Sequence, residues 1–143
     1  RRVLFRSALT PLSFKYNLSG NELYFNGNKQ IKLHTGEYLL AANQHYCEVD
    51  IRETESLDLG LCIDINLDVM KQALALFFQP NQLDYCSESI NYFEHASFFL
   101  KFNSNKYFHI YLKQLFHQIK HNRLGNLHEI QLDFIHKLLF NKS

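Results

Sequence analysis

The spacing of apolar residues changes once along this chain, and that change constrains the fold more than any motif does. Up to about residue 65 apolar and polar residues alternate, and beyond it apolar residues recur every three or four positions. Alternation puts one set of side chains on each face of a strand, whereas the longer spacing draws a single stripe along a helix. A strand-rich front half followed by a helical back half predicts an α+β domain.

In the front half, Leu12, Phe14, Tyr16 and Leu18 share one face of LSFKYNL, with Ser13, Lys15 and Asn17 on the other. Ser19-Gly20-Asn21 punctuates, and then ELYF and NKQIKL flank Asn26-Gly27. Asn-Gly between apolar runs is a strong hairpin signal, because both residues tolerate positive φ. Thr35-Gly36 marks the next turn, before the short apolar segment EYLLAA. In YCEVDIR, Cys47, Val49 and Ile51 alternate with Glu48, Asp50 and Arg52. In LDLGLCIDI, Leu59, Leu61, Ile63 and Ile65 share a face. Six short strands with tight turns predict an antiparallel barrel or sandwich with an apolar lining.

In the back half, Asn66 is placed to cap a helix from about Leu67 to Gln79, striped by Leu67, Met70, Leu74 and Phe77 and ended by Pro80. Residues 80–102 form a long polar and aromatic connection to which the pattern assigns no regular structure. A second helix is expected from about Asn105 to Leu124, where Phe108, Leu112, Leu115 and Ile119 follow a 4-3-4 spacing. Gly125 is read as its stop. Asn126 with Glu129 resembles a capping box opening a last helix that carries Leu127, Ile130, Phe134, Ile135 and Leu138. The short connection predicts an antiparallel helix hairpin over about residues 105–141.

Arg1–Ser7 stands apart. It reads RRVLFRS, which AGA-CGT-GTG-CTC-TTC-CGA-TCT encodes, a string resembling the end of a common sequencing adaptor. Native sequence is expected to begin near Ala8, with residues 8–66 the strand part and 67–143 the helical part of one domain.

The 143 residues include 46% hydrophobic ones, enough for a core. Lys and Arg number 15 against 14 Asp and Glu. Duplex binding relies on clustered positive charge against phosphates, so this stretch is not expected to bind DNA itself. Cys47, Cys62 and Cys86 are an odd set without a C-x-x-C, which points to a reducing, cytoplasmic setting and away from a zinc ribbon. No apolar run approaches the roughly 18 residues of a membrane span, so no membrane partner is expected.

Candidate chemistry is sparse. His117 and His121, four apart on the second helix, are able to face one metal, but no carboxylate or third ligand falls at matching spacing, so they read as a solvated face. His34 and His45 lack the H-x-H pattern of barrel metal sites. Neither a nucleophile elbow nor a phosphate-cradling glycine loop occurs. Asp64 reads as a solvated strand residue. No catalytic residue, metal or cofactor is expected. The aromatic load of 13 Phe and 8 Tyr suits either a filled core or an interior that receives a small organic ligand. The candidate ligand-facing set is Phe14, Tyr16, Phe25, Leu33, Cys47 and Val49.

The strand GLCIDI at Gly60–Ile65, the segment EYLLAANQHYCEVDI and above all Tyr111–Phe140 together resemble the amino-terminal domain of AraC-type transcription regulators. The resemblance runs from about residue 12 to the end and implies a cupin-like barrel that takes a small organic effector. It also implies a homodimer through the helix hairpin, with Phe108, Tyr111, Leu112, Leu115, Phe116 and Ile119 as the candidate dimerisation set; the alternative is that both faces of the second helix pack within the domain against the barrel. DNA would be read by helix-turn-helix motifs beyond Ser143. The alternative is a stand-alone cupin-like small-molecule-binding protein or enzyme. Extending the gene in the 3′ direction separates the two: about 100 further residues with helix-turn-helix pattern are expected, and an early stop codon would favour the alternative.

Overall fold

The structure, a computed structural model, describes residues 2–8, 12–26, 29–42, 46–52, 59–77 and 98–141, without the side chains of 2–8, 26, 46–52, 77 and 98. The strands are β1 (Arg2–Ala8), β2 (Leu12–Ser19), β3 (Glu22–Asn26), β4 (Lys29–Leu33), β5 (Glu37–Ala42), β6 (Tyr46–Arg52), β7 (Leu59–Asp64) and β8 (Phe98–Asn103). Among the described residues the helices are α1 (Leu67–Phe77), α2 (Lys106–Lys120) and α3 (Leu127–Leu139). No helix among the described residues is long and apolar enough to cross a membrane.

The strands form two antiparallel sheets of four, ordered β1-β6-β3-β4 and β7-β2-β5-β8. The chain passes from the first sheet to the second at the turn His34–Gly36, where Gly36 takes a φ of +86° and Glu37 N–H closes onto His34 O at 3.0 Å. Gly20 turns the chain between β2 and β3 at a φ of +95°. Glycine meets that geometry without Cβ strain. The β3–β4 pair ends at Asn26 opposite Lys29, and Gly27 of the expected Asn-Gly turn lies outside the described residues. Two lysines stitch the β4 and β8 edges: Lys29 Nζ donates to Phe99 O at 2.7 Å and Lys101 Nζ to Lys32 O at 3.4 Å.

Three layers result: first sheet, second sheet, helices. The main core lies between the second sheet and the helices. Leu12, Phe14, Tyr16, Tyr38, Ala42 and Leu61 meet Met70 and Leu74 of α1, Phe108, Leu112 and Leu115 of α2, and Phe134, Ile135 and Leu138 of α3. A smaller apolar cluster of Tyr24, Ile31, Leu33, Leu39, Ala41 and Phe99 lies between the sheets. The broadest helix–helix contact is between α1 and α3, and α3 also reaches α2 through Phe134, whose ring lies 6.4 Å from that of Phe108.

The structure departs from the sequence expectations in three places. Strand Arg2–Ala8, most of which falls in the Arg1–Ser7 segment left out of the fold, pairs along β6 as an edge strand, as an apolar run such as Val3-Leu4-Phe5 can do at any open sheet edge. Phe98–Asn103, part of the unassigned connection, is strand β8 and pairs with β5. The second helix stops four residues early, at Lys120. Asn122 takes the left-handed φ of 53°, Asn122 N–H bonds Ile119 O and Arg123 N–H bonds Gln118 O. This is a Schellman stop with asparagine in the role expected of Gly125. The expected Asn126 cap holds, its side chain accepting from Glu129 N–H at 3.1 Å.

Replacing Phe134, 2% exposed, by Ala is expected to cost about 3–5 kcal/mol of unfolding free energy in urea titration. Asn126→Ala is expected to cost about 1 kcal/mol by the same measurement. Equal effects of the two changes would contradict this placement of the core.

Candidate functional site

Strand β2 is covered on both faces, and its polar face supplies the candidate site. Ser13, Lys15 and Asn17 are buried at 2%, 8% and 0% exposure. Asn17 is fully satisfied: its Nδ2 donates to Gly20 O at 2.7 Å and Leu33 O at 2.9 Å, and its Oδ1 accepts from Ser19 N–H. It joins the two sheets. Ser13 Oγ donates to Asp64 Oδ1 at 3.3 Å.

Lys15 differs from its neighbours. Its Nζ donates to Cys62 Sγ at 3.6 Å, and among the described residues it makes no ion pair. A thiol is a weak acceptor, and Cys62 is itself solvent-exposed, so the pair is part-buried. Among the described residues a carboxylate lies in the same layer: Glu22, 6% exposed, accepts from Tyr24 O–H at 2.5 Å. Gly60 makes room for it, since a Cβ there would stand 3.0 Å from Glu22 Oε1. Chemically, the described residues of this layer offer a lysine donor beside the apolar walls of Tyr24, Ile31, Leu33, Leu39, Ala41 and Phe99.

The opposite face of β2 connects to α2. The Tyr16 hydroxyl meets Ser104 Oγ at 3.1 Å and also His109 Nδ1, while Ser104 Oγ donates to Gly36 O at 2.7 Å. Directing the Ser104 proton to Gly36 O makes Tyr16 O–H the donor to Ser104 and His109 Nδ1–H the donor to Tyr16; the network assigns this tautomer. Burial pushes the Tyr16 hydroxyl above the ordinary tyrosine value. Burial, and then the charge of Lys113, hold His109 below the ordinary histidine value. Nearby, Asn141 Nδ2 donates to Tyr38 Oη at 3.1 Å and to Asn103 O, and its Oδ1 accepts from Asn105 N–H, so the end of α3 is clipped to the start of α2. At the rim, burial alone would raise the Glu37 carboxyl, but hydrogen bonds from His34 and the charge of Lys101 bring it below the ordinary value.

The structure separates the expected ligand-facing residues. Phe14 and Tyr16 point from β2 to the helices, not between the sheets, and pack in the main core. Leu33 is in the inter-sheet cluster. Phe25 is half-buried, on the face of β3 opposite Tyr24 by strand alternation. Val49 is the register partner of Tyr24 and Cys47 that of Ser7, but the side chains of Cys47 and Val49 lie outside the described residues. The expected dimerisation set also divides. Phe108, Leu112 and Leu115 are buried in the domain's own core, Tyr111 and Phe116 are half-buried, and Ile119 is 40% exposed. The first three residues of the 4-3-4 stripe are therefore spent on the domain's own core. The apolar residues that α2 exposes are instead Tyr107, Ile110 and Ile119.

Sequence alone missed Lys15. Alternation put it on a polar face, and a polar face is ordinarily a wet one. The available signal was the apolar strand on either side, EYLLAA and GLCIDI, which makes β2 a central strand.

The His109 assignment has a pH consequence. A histidine of folded pKa below its unfolded value of about 6.5 leaves the folded state with fewer protons in acid. Its contribution to stability is full above about pH 6.5 and falls as pH drops through that value toward the folded one. Urea titrations at pH 7.5 and 5.5 should show wild type losing more stability on acidification than His109→Gln. Equal losses would remove His109 from the pH dependence.

No protein-family profile and no curated protein sequence matches the chain. Solved structures do. A ToxT structure from Vibrio cholerae aligns with a TM-score of 0.57 at 10% identity, covering 96% of this chain and 54% of ToxT. An apo ToxT variant from Vibrio cholerae strain SCE256 aligns at 0.63 and 9% identity, covering 98% and 50%. ToxT from Vibrio cholerae O395 aligns at 0.56 and 10% identity, covering 98% and 52%. The chain thus spans about half the length of the solved structures it matches. At such identity the likeness concerns the fold. Over nearly all of its length, this chain has the fold of the amino-terminal domain of ToxT, an AraC-family regulator.

Proposed function

We propose that this chain is the effector-sensing and dimerisation domain of an AraC-type transcription regulator and not an enzyme. Its two sheets form a cupin-like barrel, and its effector is a small organic anion held between them. The observation that carries this reading is Lys15: a lysine 8% exposed beside an apolar inter-sheet layer, whose Nζ has the weakly accepting, solvent-exposed Cys62 thiol as its hydrogen-bond partner. A carboxylate or similar anion with an apolar body would supply the missing charge and match the walls. ToxT is recorded in a complex with (E)-4-(8-methylnaphthalen-1-yl)but-3-enoic acid, a carboxylic acid; that complex aligns with this chain at a TM-score of 0.38 and supplies no argument about the site here.

The proposed signal path is short. Lys15 and Tyr16 are consecutive on β2, one facing the effector layer and the other bonded to Ser104 and His109 at the start of α2. A shift of β2 on binding would move α2. The proposed homodimer forms through the α2–α3 hairpin, with the exposed Tyr107, Ile110 and Ile119 on its outer surface. DNA reading is assigned to a further domain of the parent protein.

Calorimetric titration with aromatic and aliphatic carboxylic acids, each beside its methyl ester, tests the effector class. An acid is expected to bind, its ester to bind about 10- to 100-fold more weakly, as loss of a charge-assisted hydrogen bond implies, and Lys15→Met to erase the difference. Acid and ester binding alike, or Lys15→Met leaving the preference intact, would overturn the reading. Light scattering should find a dimer that Ile110→Asp converts to monomer; a monomer in the unsubstituted chain would remove the dimerisation role.

A further inference from the structure

The last turn of α2 carries a pair that neither the core nor the effector layer uses. His117 and His121 are exposed, four residues apart, with ring centroids 4.3 Å apart in an edge-to-face arrangement. Neither ring has another side-chain partner among the described residues. The turn beneath them is fixed by the Schellman bonds of Asn122 and Arg123, so both rings are presented by a defined backbone.

Two imidazoles one helical turn apart suit a single metal ion. With metal–nitrogen bonds of about 2.0–2.1 Å, the two donor nitrogens need a separation of roughly 3 Å, within reach of side-chain rotation from rings already in contact. An imidazole pair favours late first-row metals, with Cu2+ bound tightest and Mg2+ or Ca2+ excluded. The carbonyl end of a helix also favours a cation. Lys120 and Arg123 flank the pair and oppose it in part, which limits the affinity. No group of three metal-ligating side chains gathers among the described residues, so the metal keeps water in its other positions. We propose that His117 and His121 form a two-point clip for a divalent late transition metal on the surface of α2. The clip is independent of the effector reading: it needs only α2.

Calorimetric titration of the 143-residue chain with CuCl2 and NiCl2, in a buffer that does not coordinate metal, tests it directly. Copper is expected to bind more tightly than nickel. His117→Gln and His121→Gln should each weaken binding about tenfold or more, because each removes the intramolecular second donor. His128→Gln should change nothing. In a nitrogen–proton spectrum, substoichiometric Cu2+ should broaden amide signals around residues 113–124 first. Affinity within twofold of wild type in both α2 variants, or broadening centred elsewhere, would overturn the proposal. Far-ultraviolet circular dichroism of each variant confirms the helix, and both positions are solvent-exposed.

Discussion

The contact on which the rest of this fold depends is the aromatic joint between the second sheet and the helices. Phe14 lies 5.1 Å from Tyr38, 5.0 Å from Phe134 and 6.1 Å from Phe108, ring centroid to ring centroid, and Tyr38 meets Phe108 edge-on at 5.7 Å. One ring on β2 thereby ties β5, α2 and α3 together. Edge-to-face aromatic pairs add directional preference to area burial, so the joint fixes the position of the helices and not only their attachment. Asn141 and the Tyr16–Ser104–His109 network close the same joint with hydrogen bonds at its margin.

Once the helices cover the apolar face of the second sheet, its other face has to be buried against the first sheet. That sequence of constraints explains the polar residues of β2. Asn17 is turned into a tie between sheets, and Ser13 finds Asp64. Among the described residues Lys15 meets the exposed Cys62 thiol. A lysine this enclosed with so weak an acceptor gains little for folding, and structures generally tolerate such a local misfit where function requires it. The candidate effector site therefore follows from the layer order.

The α+β class, most strand positions and the caps were legible because each has a local cause. Gly20 and Gly36 announce their turns, and Asn126 its helix. The faces were less legible. Alternation in LSFKYNL separates Phe14 and Tyr16 from Lys15 correctly, but it does not say what covers each side, so the aromatic face was read as a barrel lining. The same holds for α2, where the spacing of Phe108, Leu112 and Leu115 suited a second subunit or the domain itself, and they serve the domain's own core. Strand β8 escaped because FFLKFN has no clear alternation and its pairing with β5 is set by partners more than 50 residues away. Asn122 escaped because Gly125 was the stronger local signal. Except at Asn122, whose stop is local, the deciding term is tertiary.

The central claim is that the polar face of β2 is interior, with Lys15 enclosed between sheets. Acylation of the native chain by an amine-reactive ester, followed by peptide mass spectrometry, measures this directly. Lys106, Lys113 and Lys120 are exposed on α2 and serve as internal references. Lys15 is expected to react more slowly than all three by about tenfold or more, as exclusion from solvent demands, and to match them once the chain is unfolded in urea. Native labelling of Lys15 at the rate of Lys120 would contradict the layer order and the site built on it.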